Sequence, residues 1–467
     1  MEKATRREFV KGAAGMAGII ASGAAPSLYA AGANDRIRVA CVGYADRFRQ
    51  SLLPCFKQHM KALNFDMVAV ADLWSKRLKE EAVPGLEKEF GHHIDAYKSD
   101  IDLYERAKDV DAVIIATADF QHAQHATHAV LAGKDAYCEK PMAEDMYSAN
   151  MLLDAVNLKR ANGSMLPGSV LQIGSQRRSG PAYHGAKKYL DDGKMGPLTF
   201  VDLCWDVGQP RRWRRDEAYV ASLRKEDIDW NMWLLDRDPS EYTFDPRKYL
   251  EFRLFWPFSS GIPGQWMCHQ IDTVAWYTGL KYPLSAVASG GLYAWDDGRM
   301  SHDTFTTILE YGPSKLNPKG FQAVFHSRQT NGARGNVEKY HGPEGTIDLC
   351  NGTWSNEGAV DEKKVGHKSG KLTENYQKAE TAANTGGDPL TSAHMRNWME
   401  CVRNRKDPNA SVEAGYYHTV ALIMANAAAR TGIKATFDPE KRQVMVDGKV
   451  FTGYKSTADG WFKNLFA

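Results

Sequence analysis

Four short apolar runs in the first third of the chain, each closing on a residue with chemistry or a turn, constrain its fold more than any other feature. Ile37–Val42 closes on Gly43, Met67–Ala71 on Asp72, Val113–Ala116 on Thr117 and Ala136–Cys138 on Glu139. Runs this short and continuous are strands buried on both faces. The stretches between them have helical spacing. Leu52, Leu53, Phe56 and Met60 recur along one face, a Lys/Glu-rich helix is predicted over 75–90, and another over 123–132. Strands alternating with helices predict an α/β fold, a doubly wound parallel sheet with helices on both faces.

From Val170 the pattern changes. Leu198–Trp205, Thr304–Tyr311 and Phe321–Ser327 are longer and alternate apolar with polar residues. That is the mark of a large, open, mostly antiparallel sheet with one face exposed, here in an α+β domain. Helices predicted over 390–403 and 411–431 follow a loop holding Gly386 and Gly387. At about 150 residues per domain, 467 residues imply two or three domains. The expected division is 1–33 as an export signal, 34–165 as a nucleotide-binding domain and 166–440 as a substrate-binding and oligomerisation domain. Residues 441–467 would form a C-terminal arm carrying Trp461, Phe462 and Phe466.

The charge balance supports the first boundary. The formal charge is +2, from 59 basic and 57 acidic residues. Lys3, Arg6, Arg7 and Lys11 against Glu2 and Glu8 account for all of it, leaving 55 of each sign beyond position 33. A neutral body excludes a nucleic-acid footprint. The N-terminal segment has paired arginines followed by Phe9 and Lys11, an apolar run Gly12–Ala25, and an Ala31-Gly32-Ala33 end. This pattern resembles a twin-arginine signal and predicts a periplasmic or otherwise exported protein. No later stretch is apolar enough to span a membrane. Seven scattered cysteines without a C-x-x-C pair indicate neither a zinc ribbon nor a disulfide scaffold.

The first strand-to-helix turn is where a dinucleotide pyrophosphate would sit. It reads Gly43-Tyr44-Ala45-Asp46-Arg47-Phe48, with one glycine of the G-x-G-x-x-G pattern kept. Asp72, closing the second strand, is placed to accept hydrogen bonds from the adenosine ribose and to repel a 2′-phosphate, favouring NAD over NADP. Two further segments follow strands, Thr117-Ala118-Asp119-Phe120-Gln121-His122 and Glu139-Lys140-Pro141. Together with Gln172–Arg178, Gly342–Thr346 and His394–Arg403, they resemble the Gfo/Idh/MocA oxidoreductase family over nearly all of 35–440. The resemblance implies an N-terminal Rossmann domain. It also implies cofactor contacts from Gly43, Ala45, Asp46, Arg47, Asp72, Thr117, Asp119, His122, Glu139, Lys140 and Gln176. In the family the Thr-Pro-x-x-x-His and Glu-Lys-Pro segments border the nicotinamide; here Ala118 replaces that proline.

A lysine at position 140 can hydrogen-bond the reacting hydroxyl and stabilise an alkoxide. The family's proton acceptor lies in an Asp-x-x-x-His helix. Here Gln265 stands where the carboxylate would be, His269 remains, and Asp272 follows one turn later as a candidate to orient it or bind a substrate hydroxyl. His122, His125 and His128 form an H-x-x-H-x-x-H series spread over about a third of the helix circumference, and no metal is expected there. Tyr183, Arg211, Arg212 and Trp213, with Asp272, are the candidate substrate contacts, because aromatic faces stack on sugar rings while Arg and Asp fix hydroxyls.

The resulting expectation is an NAD-dependent oxidoreductase taking hydride from a secondary hydroxyl, C3 among the candidates, of a sugar or glycoside. An exported enzyme of this kind needs a tightly held cofactor. The alternatives are an NAD-dependent glycosidase working through transient oxidation and elimination, and a sugar-binding protein without catalysis. The open sheet and the aromatic arm predict a homodimer or homotetramer.

Overall fold

In the computed structural model, each of the four apolar runs is a strand of one parallel sheet. The strands are β1 (Ile37–Val42), β2 (Phe65–Ala71), β3 (Asp95–Tyr97), β4 (Ala112–Ile115), β5 (Asp135–Cys138) and β6 (Leu171–Ile173), in the order β3-β2-β1-β4-β5-β6. All five pairings are parallel. The strand order reverses between β1 and β4, and such a reversal opens a crevice at the carboxyl ends of the strands. β3 is short and exposed at two of its three positions, and β6 lies beyond position 165; neither has a long apolar run to announce it. Helices α1 (Leu53–Leu63), α2 (His122–Leu131) and α3 (Met146–Ala161) belong to this domain.

The structure describes residues 35–161, 169–209, 211–372 and 388–456. The expected export signal, the aromatic end Trp461–Phe466, and the stretch 162–168 containing the expected domain boundary lie outside the described residues. From Ile37 onward the chain clusters as one unit.

The second sheet has 11 strands. They are β7 (Phe200–Trp205), β8 (Ser285–Gly291), β9 (Thr304–Tyr311), β10 (Phe321–Arg328), β11 (Asn336–Gly342), β12 (Gly345–Asp348), β13 (Thr353–Ser355), β14 (Ser369–Lys371), β15 (Ala435–Asp438), β16 (Gln443–Val446) and β17 (Lys449–Val450). The order is β14-β13-β12-β11-β7-β10-β9-β8-β15-β16-β17, antiparallel except for β7 beside β10. Along β9, Phe305, Thr307, Leu309 and Tyr311 are buried while Thr306 and Glu310 are exposed, so the period-2 pattern separates a packed face from an open one. Helices α4 (Cys268–Thr278) and α6 (Val412–Thr431) cover the packed face. Ala421, Ala425, Ala427 and Ala428 let α6 sit closely between this sheet and the first domain.

Two parts of the expected division are corrected. Residues 443–450 are not an arm but the hairpin that extends the large sheet. Helix α5 (Pro389–Asn404) packs on the first domain, burying Trp398 against Phe65 and Tyr137. Between β7 and α4 the chain forms a layer of short helices, Glu217–Ala221, Trp230–Leu234 and Pro246–Leu250. Its apolar core of Trp230, Trp233, Phe255 and Phe258 takes in Trp74 and Phe120 from the first domain, so the layer closes over the crevice. No helix among the described residues is long and apolar enough to cross a membrane.

Candidate active site

Two adjoining cavities follow the carboxyl edge of the first sheet. The first, of about 270 Å³, is lined by Gly43, Ala45, Asp46, Arg47, Asp72 and Thr117 from the first domain, and by Arg215, Tyr219, Trp233, Tyr249 and Arg253 from the covering layer. The second, of about 100 Å³, is lined by His122, Glu139, Lys140, Gln176, Trp205, Arg212, Trp213, Gln265, Trp266 and His269. Arg47, Ala116, Thr117 and Arg253 border both.

The turn after β1 needs its one glycine. Gly43 has φ +90°, and a Cβ there would lie 2.8 Å from Thr117 Cγ2 and 3.0 Å from the Ala116 carbonyl. Asp72 is held where β2 ends: Tyr44 N donates to Oδ2 and Trp74 N to Oδ1, each at 2.9 Å. Arg77 lies 3.6 Å from the same carboxylate, and its guanidinium sits over the Trp74 ring at 4.7 Å. Burial works to raise the Asp46 carboxyl, but Arg215 and Arg49 outweigh it and hold it below the usual carboxylate range. The ion pair between Arg215 and Asp46 joins the covering layer to the turn.

In the second cavity, Arg47 Nε donates to Glu139 Oε1 at 2.7 Å, and Glu139 Oε2 accepts from the Lys140 amide at 3.0 Å. Burial opposes the Glu139 anion, yet Arg47 and Lys140 keep its pKa low. Lys140 Nζ donates to the Gln265 carbonyl at 3.1 Å and approaches Oε1 at 3.4 Å. Burial lowers the pKa of its ammonium. His269 faces the same cavity from α4. Burial first, then the Lys140 and Arg177 cations, hold its imidazole well below the ordinary histidine value, so the ring is neutral near pH 7.

Four polar atoms here are buried without a hydrogen-bond partner: Thr117 Oγ1, Gln176 Oε1, His122 Nε2 and Arg212 Nε. His122 Nδ1–H donates to the Pro141 carbonyl at 2.8 Å, which leaves Nε2 as an acceptor. Orphaned donors and acceptors beside a lysine suit a nicotinamide with its carboxamide and ribose hydroxyls, so the residues present fit that group. Trp213 stacks on Trp266 at 5.4 Å, and Trp205 lies 5.8 Å from the His269 ring, giving the cavity an aromatic wall.

Four expected site residues stand elsewhere. Asp272 is 1% exposed, receives Arg178 Nε at 2.8 Å, and has His418 Nδ1 at 3.5 Å; it borders neither cavity. One helical turn beyond His269, its side chain points to a different neighbour. Asp119 is fully buried behind Gln265, accepting from its Nε2 and from Ser259 Oγ at 2.6 Å, so it positions the wall and lines neither cavity. Tyr183 belongs to the core beneath Arg177. Arg211 is exposed and faces Glu217 at 3.6 Å. Conversely, Arg253, Arg215 and Tyr249 line the site although no local motif marks them.

The histidine series has a partner that its spacing does not reveal. His125 Nδ1 and His128 Nδ1 both approach Asp100 Oδ2, at 2.8 and 2.6 Å. Those are hydrogen-bond separations, with one carboxylate accepting from two rings. Burial opposes the Asp100 anion, but the two imidazoles drive its pKa far down.

A parallel β3-β2-β1-β4-β5-β6 sheet, a carboxylate at the end of β2 and a cavity at the strand reversal define an α/β protein of the dinucleotide-binding type. Residues 37–165 match the family described as "Oxidoreductase family, NAD-binding Rossmann fold", and residues 231–437 match its "C-terminal alpha/beta domain". The chain belongs to the Gfo/Idh/MocA oxidoreductase family.

Among curated relatives, inositol 2-dehydrogenase of Rhizobium meliloti is 30% identical over 194 residues, 40% of this chain and 54% of that protein. Inositol 2-dehydrogenase 2 of Saccharopolyspora erythraea is 34% identical over 131 residues, 28% of this chain and 36% of that one. The matched segments therefore span about a third to a half of these relatives. Levoglucosan dehydrogenase in complex with NADH and levoglucosan superposes with a TM-score of 0.59 at 17% identity, covering 86% of this chain and 99% of that one. The aldose-aldose oxidoreductase from Caulobacter crescentus gives 0.58 at 17% identity, covering 86% and 100%. These two share the fold.

Proposed function

We propose that this protein is an NAD-dependent dehydrogenase that oxidises a secondary hydroxyl of a sugar or related cyclic polyol. The observation that carries the reading is the convergence of Lys140 Nζ and the neutral His269 ring on one cavity bordered by orphaned polar atoms. When bound, the nicotinamide supplies the hydride acceptor. Lys140 holds the substrate hydroxyl and stabilises negative charge as it develops on that oxygen. His269 takes the hydroxyl proton, which a neutral imidazole can accept and an imidazolium cannot. The tryptophan wall excludes water and stacks on the ring. Similar proteins named inositol 2-dehydrogenase and levoglucosan dehydrogenase support a cyclic polyhydroxy substrate.

Asp72 favours NAD over NADP, since its anchored carboxylate would repel a 2′-phosphate. The layer closing over the first cavity, latched by Arg215 on Asp46, supports a cofactor that leaves slowly. Such retention suits a protein exported with its cofactor aboard, as the N-terminal twin-arginine pattern suggests. The open face of the large sheet, with Val287 exposed and Ile308 and Val324 half-buried, supports a homo-oligomer formed through that face.

The test is to incubate purified protein with NAD and a panel of sugars and inositols, following nicotinamide absorbance and product mass. A product lighter by two hydrogens supports the reading. A panel that leaves NAD unreduced while the protein binds NADH refutes it. Release of aglycone from a nitrophenyl glycoside without net NAD reduction would replace it with the glycosidase.

A further inference from the structure

Resting on the dehydrogenase reading, we propose that the substrate is an acidic sugar of the uronic acid class, and that Arg212 receives its carboxylate. The second cavity carries more positive than negative charge. Arg47 is paired with Glu139; Lys140 also stabilises that carboxylate, but its Nζ donates to the neutral Gln265, and among the described residues the ion-pair partner of Arg253 is Asp119, at 3.7 Å. Asp388 caps the start of α5, accepting from the Thr391 amide and hydroxyl. Arg212 has no acidic partner among the described residues. Its Nη1 donates to Gln209 Oε1, and its Nε is buried with no partner at all. A guanidinium edge left in this state matches the two oxygens of a carboxylate.

The Arg212 backbone is held in place. Arg299 Nη2 donates to the Arg212 carbonyl at 3.1 Å and is itself held by Asp297 and Gln329. On either side, Arg211 (φ 56°) and Trp213 (φ 67°) adopt the left-handed backbone that bulky residues avoid. Strain of that kind persists where the surroundings impose it, and it gathers at ligand sites. The Arg212 guanidinium lies 5.7 Å from the Trp266 ring and 6.0 Å from the Trp213 ring, so a sugar stacked on this wall brings a ring substituent next to it. Burial, and the neighbouring Arg253 cation, bring the Arg212 pKa down to about 10, as expected of a cation lacking its counter-charge. Gln265 contributes to the imbalance, since a carboxylate there would face both Lys140 and Arg253.

The experiment is titration calorimetry on NADH-loaded protein, comparing D-glucuronate and D-galacturonate with D-glucose and D-galactose. The wild type should bind at least one acid at least tenfold more tightly than its neutral counterpart, and high salt should erode the difference. Arg212→Met should weaken the preferred acid at least tenfold more than the neutral sugar, while Arg212→Lys should keep part of the preference. Neutral sugars bound as tightly as the acids, no binding of either acid, or equal losses for acid and neutral sugar in Arg212→Met would each overturn the proposal. If the wild type fails to bind NADH, the dehydrogenase reading falls, and the same titrations on the unloaded protein still decide whether Arg212 holds a carboxylate.

Discussion

Replacing Asp72 with asparagine tests the cofactor end of the site, because one side chain there holds the turn and, in the proposed function, selects the nucleotide. Both carboxylate oxygens accept backbone amides at 2.9 Å, and the group is buried. In Asp72→Asn one amide keeps an acceptor, whereas the other meets the new NH2 group. A lost hydrogen bond to a charged acceptor costs about 1.5–3 kcal/mol. Arg77, itself buried, loses the counter-charge 3.6 Å away, and breaking a buried pair from one side costs about 3–5 kcal/mol. Since the two penalties share one group, the expected loss of stability is about 3–5 kcal/mol rather than their sum.

For the cofactor, the ribose diol loses a charged acceptor, which should weaken NAD roughly ten- to hundredfold. A 2′-phosphate loses a repelling carboxylate and gains the released Arg77, so NADP should bind more tightly than to the wild type. The assay is nicotinamide fluorescence titration with both cofactors, beside a urea melt. An unchanged ratio of the two dissociation constants, in a variant that melts cooperatively, would refute the placement of the ribose at Asp72.

Further predictions concern the reacting end and the buried histidines. Lys140→Met should lower kcat roughly 10²–10³-fold while shifting NADH affinity less than tenfold, as measured by steady-state kinetics and fluorescence titration. Asp272→Asn should lower the melting temperature through loss of the Arg178 pair and leave kcat within about threefold, the reverse of what a catalytic carboxylate would do. His394 is fully buried between Ser179 Oγ at 2.7 Å and the Ile173 carbonyl at 2.9 Å, and burial takes its pKa down to about 4. On acidification the unfolded chain takes up this proton first, from about pH 6.5, so the stability it contributes is complete above that pH. Roughly 3 kcal/mol should be lost by about pH 4. Urea melts at about pH 7 and about pH 4 should show that loss, and His394→Gln should reduce it.

The parts of this protein readable from the chain are those encoded locally. Apolar runs over β1, β2, β4 and β5 announce buried strands because a strand covered on both faces has no polar positions to spare. Thr117, His122, Glu139 and Lys140 follow such strands directly, and a residue at the carboxyl end of a parallel strand is delivered to the crevice by the fold itself. His269 is found through the family resemblance of its segment, which keeps the histidine although Gln265 replaces the carboxylate. Asp272 shows the limit of that reasoning. Its spacing is right for helping His269, yet Arg178, 94 residues earlier in the chain, claims it. Tyr183 fails for a related reason, since an aromatic residue in a sugar-handling region has the same sequence signature whether it faces the ligand or the core.

The sequence by itself determined the sheet order's raw material, the chemistry at the strand ends and the neutrality of everything beyond residue 33. Only the tertiary structure decided which charges remain unpaired. Arg211, Arg212, Arg214 and Arg215 sit within five positions, and nothing local distinguishes them. Folding gives Arg211 to Glu217, Arg214 to Glu251 and Arg215 to Asp46, and leaves Arg212 against the tryptophan wall without an acid among the described residues. The physical reason is that pairing energies depend on distance and burial, and both are set by elements far apart in the chain.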